Sequence, residues 1–378
     1  MNILFSTTYY HPYVSGLSLY VRRLAEALAY KKNTISVLCM RHDDSLPLKQ
    51  VVGGVRIYRA KPFIPLHKGF LSFDFVRLAW KAVKRADVIV VNLPQFEGVW
   101  PALFGTLLGK KVIAIYHSEL DLPSGFINSI VQSFVEIANM MTLYLSESVV
   151  TYTKDFANHS RLLRLVKSKV TTTFPPIPAP LVHSSKKKDI ATRIGQADVI
   201  IGVAARLAAE KGLEYLFEAI PMLRAAYKKK RIKIVIAGPD APIGEHAYRI
   251  KIRKLEKQYG KALVFLGEIP PSEMGSFYSQ LDVLVLPSIN STETFGMVQV
   301  EAMMTGVPVV ASNLAGVRVP IRTTGMGIVV PPKDTRAIAE AIVTILSQPS
   351  KYIRDATWVK AQFSIDRVVA FYEELFAA

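Results

Sequence analysis

Asp282–Ser312, DVLVLPSINSTETFGMVQVEAMMTGVPVVAS, reads as strand, loop, helix, turn and strand. Asp282–Leu286 is an apolar run of strand type, closed by Pro287. Ile289–Thr292 is a polar loop. Helical spacing runs from Phe295 to Thr305, Gly306 stops it, and Val307–Ala311 is the next buried strand. Glu293 precedes the helix and Glu301 lies inside it. Gly296 stands at the helix start, where backbone can approach a ligand and free N–H groups favour an anion. Carboxylates beside an anion site suit a polyhydroxylated, phosphorylated ligand.

The same alternation extends outward in both directions. Before it come strands at Asn2–Thr7, Thr34–Met40, Val55–Arg59, Asp87–Val91, Val112–Tyr116, Val149–Thr153 and Val170–Phe174. Helical periodicity appears near Leu17–Tyr30, Phe70–Lys84, Gly98–Leu108, Phe126–Tyr144 and Asp155–Leu165. Pro175–Asp189, PPIPAPLVHSSKKKD, has no periodicity and reads as a linker. Beyond it, strands recur at Val199–Ala204, Ile232–Ala237, Leu263–Leu266, Asp282–Leu286, Val307–Ala311 and Ile328–Val330. Helices fall near Gly212–Tyr227, Glu245–Tyr259, Ser272–Gln280, Phe295–Thr305 and Asp334–Ser347. Nearly all-apolar strands separated by helices imply parallel sheets covered on both faces. The expected class is α/β, with two successive doubly wound, Rossmann-like domains and ligands beyond the carboxyl ends of strands.

Length and composition agree. The 378 residues suffice for two ordinary domains, half of them hydrophobic and a fifth charged. The single cysteine, Cys39, sits in an apolar strand, and no disulfide can form within one chain, as suits a reducing cytoplasm. The N-terminus lacks a basic leader, so no signal peptide is expected. In Gly125–Leu145, Asn128, Gln132, Glu136 and Asn139 form a polar stripe, which predicts an amphipathic helix lying on a core or interface, not a membrane span. The formal charge of +17 gathers in Lys81–Arg85, Arg161–Lys169, Lys186–Lys188, Arg224–Lys233 and Arg249–Lys257. Such an excess attracts nucleic acid, anionic lipid or phosphorylated substrates, though basic runs are often only solvated helix faces. No nucleic-acid motif accompanies it, and an anionic membrane surface is the next candidate partner.

Several chemistries are disfavoured. The first strand–helix turn, with only Gly16, lacks the three-glycine dinucleotide fingerprint, and there is no phosphate-loop run. No metal-ligand spacing occurs, so no metal site is expected. Arg206 and Lys211 in RLAAEKG follow a strand end and precede a helix. They read as a diphosphate clamp, with surface salt bridging as the competing reading. His117 ends the strand Val112–Tyr116 at the ligand-binding edge, although a lone histidine is usually structural. His11, His42, His67, His159, His183 and His246 show no pattern that separates them from that role. Eight helical residues span about 12 Å, so Glu293 and Glu301 suit separate tasks on a long ligand better than a hydrolase pair.

Together these pieces resemble the retaining glycosyltransferases of family 4, which have the GT-B fold of two Rossmann-like domains facing each other across a cleft. ETFGMVQVEAMMTGVPVVAS is similar to the family's Glu–seven residues–Glu motif with its trailing strand. RLAAEKG is similar to its phosphate clamp, and YHSELD carries His117 at its acceptor-side histidine. QFSIDRVVAFYEELF, Gln362–Phe376, is similar to the helix that crosses back onto the first domain. The resemblance implies an acceptor-side domain over residues 1–176, joined by 362–378, and a donor-binding domain over 177–361.

It also implies roles. Glu301 would bind ribose hydroxyls and Glu293 hydroxyls of the transferred sugar. The backbone of Phe295, Gly296, Met297 and Val298 would meet the sugar and distal phosphate. Arg206 and Lys211 would neutralise the departing diphosphate, Gly16 would approach it, His117 would meet the sugar near its anomeric end, and Ile269 would border the base. The chain has Ser15 before Gly16 where the family often has a glycine pair, and the loop before Glu293 is longer than usual.

The implied activity is transfer of a hexosyl group from a nucleotide-diphosphate sugar, UDP favoured over GDP, to a hydroxyl acceptor that is lipid-linked or a saccharide. No cofactor or metal is obligatory, and the location is cytoplasmic, including the cytoplasmic membrane face. Apolar residues in Phe63–Phe75 and Phe126–Tyr144 could supply membrane contact. The alternatives are a sugar phosphorylase, a nucleotide-sugar epimerase, or a non-catalytic nucleotide-sugar- or nucleic-acid-binding protein.

Overall fold

A computed structural model describes residues 1–66, 69–121, 125–240 and 245–378, so His67 and part of the Phe63–Phe75 stretch lie outside the described residues. The chain forms two units, one of Met1–Pro176 with Ile365–Ala378 and one of Ile177–Ser364.

In the first unit, strands β1 (Asn2–Ser6), β2 (Thr34–Met40), β3 (Lys49–Val52) and β4 (Val55–Ala60) are followed by the ribbon β5–β6 (Ile64–Leu66, Gly69–Leu71). Then come β7 (Val88–Leu93), β8 (Lys111–Tyr116), β9 (Ser148–Thr151) and β10 (Val170–Thr172). Helices α1 (Gly16–Tyr30), α2 (Phe73–Val83), α3 (Val99–Leu107), α4 (Phe126–Leu145) and α5 (Lys154–His159) connect them. The main sheet runs β10-β9-β8-β7-β1-β2-β4-β3 and is parallel except for the β3–β4 pair. Every residue of β7 is buried, as expected of a central strand between two helix layers. β1 has β2 on one side and β7 on the other. The strand order therefore reverses there, and in doubly wound sheets ligands bind beyond the strand ends at such a point.

The second unit contains β11 (Val199–Ala204), β12 (Ile232–Ala237), β13 (Leu263–Gly267), β14 (Val283–Leu286), β15 (Val309–Ser312) and β16 (Gly327–Val330). Its helices are α6 (Ser184–Ile194), α7 (Leu213–Phe217), α8 (Ile220–Ala226), α9 (His246–Tyr259), α10 (Met274–Tyr278), α11 (Met297–Met304), α12 (Val319–Thr324), α13 (Thr335–Ser347) and α14 (Ala356–Gln362). The all-parallel sheet runs β13-β12-β11-β14-β15-β16, with its switch point between β11 and β14. Ile201, Val203, Ile234, Ile236, Val283 and Val285 meet Leu216, Phe217, Ile252, Ile338 and Ile342 in its core. The last helix, α15 (Ile365–Ala377), belongs to the first unit, where Tyr372 and Tyr20 join hydroxyls at 2.6 Å with both rings buried.

Several elements differ from the sequence expectation. The second half of the expected linker is α6. Ile190 and Ile194, one turn apart, are its buried residues, and the lysines between caps and core are adequate helix formers. The helix expected over Gly212–Tyr227 is two, because Pro221 at the start of α8 lacks an N–H. Asp155–Leu165 holds only the six-residue α5, after which a 3-10 stretch runs from Leu163 to Lys169. The strand β3 alternates exposed and half-buried residues at the sheet edge, a weak signal that the sequence reading passed over.

Candidate active site

The switch point of the second unit carries most of the expected residues. β11 ends at Ala204, and the following loop brings Arg206, Glu210 and Lys211 to Gly212. β14 ends at Leu286, and its loop brings Ser288, Glu293 and Gly296 to the start of α11. The two loops are bonded to each other: the Ile289 N–H donates to Glu210 O at 3.0 Å. Gly212, with φ +59°, makes this approach feasible, since a Cβ there would stand 2.5 Å from Pro287 O.

Lys211 Nζ donates to Glu293 Oε2 at 2.7 Å, with both side chains about four-fifths buried. Ser288 Oγ lies 3.5 Å from the same oxygen. Arg206 is paired with Glu210, four residues on, and its side chain is the more open of the two cations. Glu245 takes the Ala209 N–H at 3.1 Å, which fixes the loop between the cations.

Helix α11 starts two residues later than its periodicity predicts. Gly296 adopts φ +73°, ψ +68°, and no side chain caps the helix. A Cβ on Gly296 would lie 2.3 Å from Leu286 Cδ2. Met297 and Val298, in the first turn, are half-buried and stand at the positive end of the helix dipole. Phe295 is buried with its ring 6.3 Å from that of Phe363. Glu301 is buried on the inner face and accepts from the Tyr278 hydroxyl at 2.7 Å. Ile269, just after β13, is buried.

In the first unit, Ser15 caps α1 in a reciprocal box with Ser18, at 3.1 and 2.8 Å, and Gly16 is exposed as the first helical residue. The serine in place of a glycine thus has a structural task of its own. His117 is buried. Its Nε2 meets Asn92 Oδ1 at 2.9 Å, its Nδ1 meets the Tyr152 hydroxyl, and the Tyr20 ring is edge-on at 4.8 Å. Burial pushes its pKa down to about 3, so the ring is neutral. Beyond β7, Gln95 and Glu97 are buried. Ser6 Oγ donates to Gln95 Oε1 at 3.0 Å, and burial raises Glu97 to about 7. Among the described residues no cluster of His, Cys, Asp or Glu could hold a metal ion.

The sequence reading missed Glu210, Tyr278, Ser288, Asn92, Tyr152 and Glu97. Glu210 and Ser288 lie within the quoted loops and had a positional signal. Tyr278 and Tyr152 had none, because their partners are distant in the chain.

Two family models cover the two units. Residues 184–360 match Glycosyl transferases group 1, and residues 14–179 match Glycosyltransferase Family 4. This chain belongs to the family 4 glycosyltransferases. An uncharacterized glycosyltransferase from Methanocaldococcus jannaschii is 27% identical over 365 residues, 92% of this chain and 89% of that one. A D-inositol 3-phosphate glycosyltransferase from Corynebacterium urealyticum is 34% identical over 162 residues, 42% of this chain and 37% of that one. Among solved structures, sucrose-phosphate synthase from Thermosynechococcus elongatus superposes with a TM-score of 0.78 at 23% identity, covering 100% and 99% of the two chains. The HepE protein of Anabaena in complex with UDP-glucose gives 0.77 at 16%, also covering 100% and 99%. The fold of this family 4 glycosyltransferase is therefore the GT-B type, with two parallel-sheet Rossmann-like units.

Proposed function

We propose that this family 4 glycosyltransferase moves a hexosyl group from a nucleotide-diphosphate sugar, UDP favoured over GDP, to a hydroxyl acceptor with retention at the anomeric carbon. The observation that carries the reading is the Lys211–Glu293 pair at the switch point, beside an uncapped helix start and the buried Glu301. Glu301, oriented by Tyr278, binds ribose hydroxyls. Glu293 binds hydroxyls of the sugar, and the first turn of α11 takes the distal phosphate. Arg206 and Lys211 face the diphosphate as negative charge develops on it. Fixed cations aimed at a leaving anion lower an oxocarbenium-type barrier more than they strengthen ground-state binding. The departing phosphate oxygen accepts the acceptor's proton on the same face, and no step requires a metal. Gly16 and His117 supply the first unit's contacts, His117 as a neutral ring.

The acceptor is a polyhydroxylated compound, a class that includes the inositol phosphate named for the relative above. We place the enzyme in a reducing, cytoplasmic setting, which suits a chain whose single cysteine, Cys39, is free and buried. The test is a thermal-shift series with UDP-, GDP- and ADP-sugars, followed by NMR of the product's anomeric configuration. A donor-specific rise in melting temperature and a retained configuration are expected. An inverted product, or no response to any nucleotide sugar, overturns the reading.

A further inference from the structure

Helix α4 is amphipathic in the opposite sense from a surface helix. Its polar stripe faces the protein: Asn139 is buried and accepts the Gln95 N–H at 3.1 Å, and Glu136 is paired with Arg161 at 2.6 Å. The outward stripe is Phe126, Ile130, Phe134, Ile137, Met141 and Tyr144, spaced at four, four, three, four and three. Their exposures run from 42% at Ile130 to 82% at Phe126. These residues form one row about 27 Å long at 1.5 Å per residue. Contiguous exposed apolar surface of this extent marks a binding face.

The flank of the row carries one sign of charge. The segment Arg161–Lys169 is anchored along α4, with Lys169 Nζ donating to Tyr144 O at 2.7 Å and to Ser146 O at 2.9 Å. It presents Arg164 and Lys167 to solvent beside Leu165, itself 61% exposed. The only charged residue of α4, Glu136, is already neutralised by Arg161. In the same helix layer, Lys84 stacks over the exposed Trp80 at 4.5 Å. Aromatic and aliphatic side chains in a row, with cations at their edge, match an interface of acyl chains beneath anionic headgroups. A second copy of this chain fits less well. Two-fold pairing of one patch with itself would set Arg164 and Lys167 of both copies close together, in a chain that already carries a charge of +17.

We infer that the α4 row, with the Arg161–Lys169 segment, docks this protein on an anionic lipid bilayer as a peripheral contact. No described helix is long and apolar enough to cross a membrane, so α4 lies in the plane of the surface. The inference stands apart from glycosyl transfer, and its test needs no donor or acceptor.

The experiment is co-flotation of the full chain with vesicles of phosphatidylcholine alone, and with vesicles of equal parts phosphatidylcholine and phosphatidylglycerol. The wild type should float with the mixed vesicles at low salt and far less with the neutral ones. The Phe134→Ser/Ile137→Ser double variant should lose about ten-fold or more in partitioning, while keeping the wild-type circular dichroism and melting temperature. Arg164→Glu/Lys167→Glu should lose most of the anionic preference, as should the wild type at high salt. Failure of the wild type to bind mixed vesicles overturns the inference, as does undiminished binding of the apolar variant. Light scattering that shows a wild-type dimer and a monomeric apolar variant overturns it in favour of a contact between copies.

Discussion

Lys211 Nζ and Glu293 Oε2 lie 2.7 Å apart although 82 residues separate them, because β11 and β14 are neighbours at the point where the strand order reverses. One residue is assigned to the leaving phosphate and the other to the transferred sugar, so the pair holds both groups in position before substrate arrives. Lys211→Ala and Glu293→Ala should each lower kcat/KM by about ten- to a thousand-fold, the range for a lost preorganised polar contact. Folding should also suffer, by about 1–3 kcal/mol, since each substitution leaves a largely buried charge without its partner. Steady-state kinetics with a double-mutant cycle checks this. Strict additivity of the two losses would show that the residues do not work as a unit.

Gly212 and Pro287 supply a second test of the same junction. At φ +59°, with a Cβ position 2.5 Å from Pro287 O and 2.5 Å from Ile289 Cγ2, any side chain must push the two loops apart. Gly212→Ala should destabilise the fold by about 1–3 kcal/mol through backbone strain and crowding. It should also weaken nucleotide-sugar affinity, because Lys211 and Glu293 separate. Urea unfolding and calorimetric titration report the two effects. A stable variant with unchanged affinity would mean that the loops move independently.

The switch-point loops were legible because the chemistry-bearing residues are consecutive: ETFG and RLAAEKG each bring charge, glycine and a strand end together within a few positions. The α4 helix was legible only by half. Periodicity reveals that Asn128, Gln132, Glu136 and Asn139 share a face, but which face is buried depends on Gln95 and Arg161, which hydrogen-bond and ion-pair to it from elsewhere in the chain. His117 shows the same limit. Its position at a strand end is plain in the sequence, whereas Asn92 and Tyr152, which engage both its nitrogens, come from two other strand ends. The α6 helix was hidden by composition, because three lysines and two serines read as a solvated linker until the Ile190–Ile194 pair is given a surface to cover.

Arg59 is a buried cation held by carbonyl and amide oxygens. Its guanidinium donates to Pro47 O at 2.9 Å, His11 O at 2.8 Å and Gln50 Oε1 at 3.0 Å. It thereby ties β4 to the loop that leads into Gly16. Arg59→Ala should cost on the order of 3 kcal/mol, from stranded carbonyls and a cavity. Arg59→Met restores volume but not the bonds, and should recover only part. Chemical denaturation of the three proteins gives the comparison. Full recovery by methionine would assign Arg59 a packing role alone.

Glu97 and His117 tilt stability in opposite directions with pH. Burial holds His117 near 3 against an ordinary 6.5, so between those values the unfolded chain binds a proton that the native chain does not. Stability from this group is therefore lost as pH falls through that window. Burial raises Glu97 from 4.5 to about 7, so between those values the native chain keeps a proton that the unfolded chain releases. Stability from Glu97 is present below about 4.5 and is lost as pH rises through 7. The two slopes oppose each other where the windows overlap, and only the Glu97 cost remains at mildly alkaline pH. Glu97→Gln removes that cost. It should stabilise the protein on the order of 2 kcal/mol at about pH 8 and by close to nothing at about pH 4, where Glu97 is protonated in both states. Urea midpoints at the two pH values decide it, and an equal shift at both would show that the carboxyl does not titrate near neutrality.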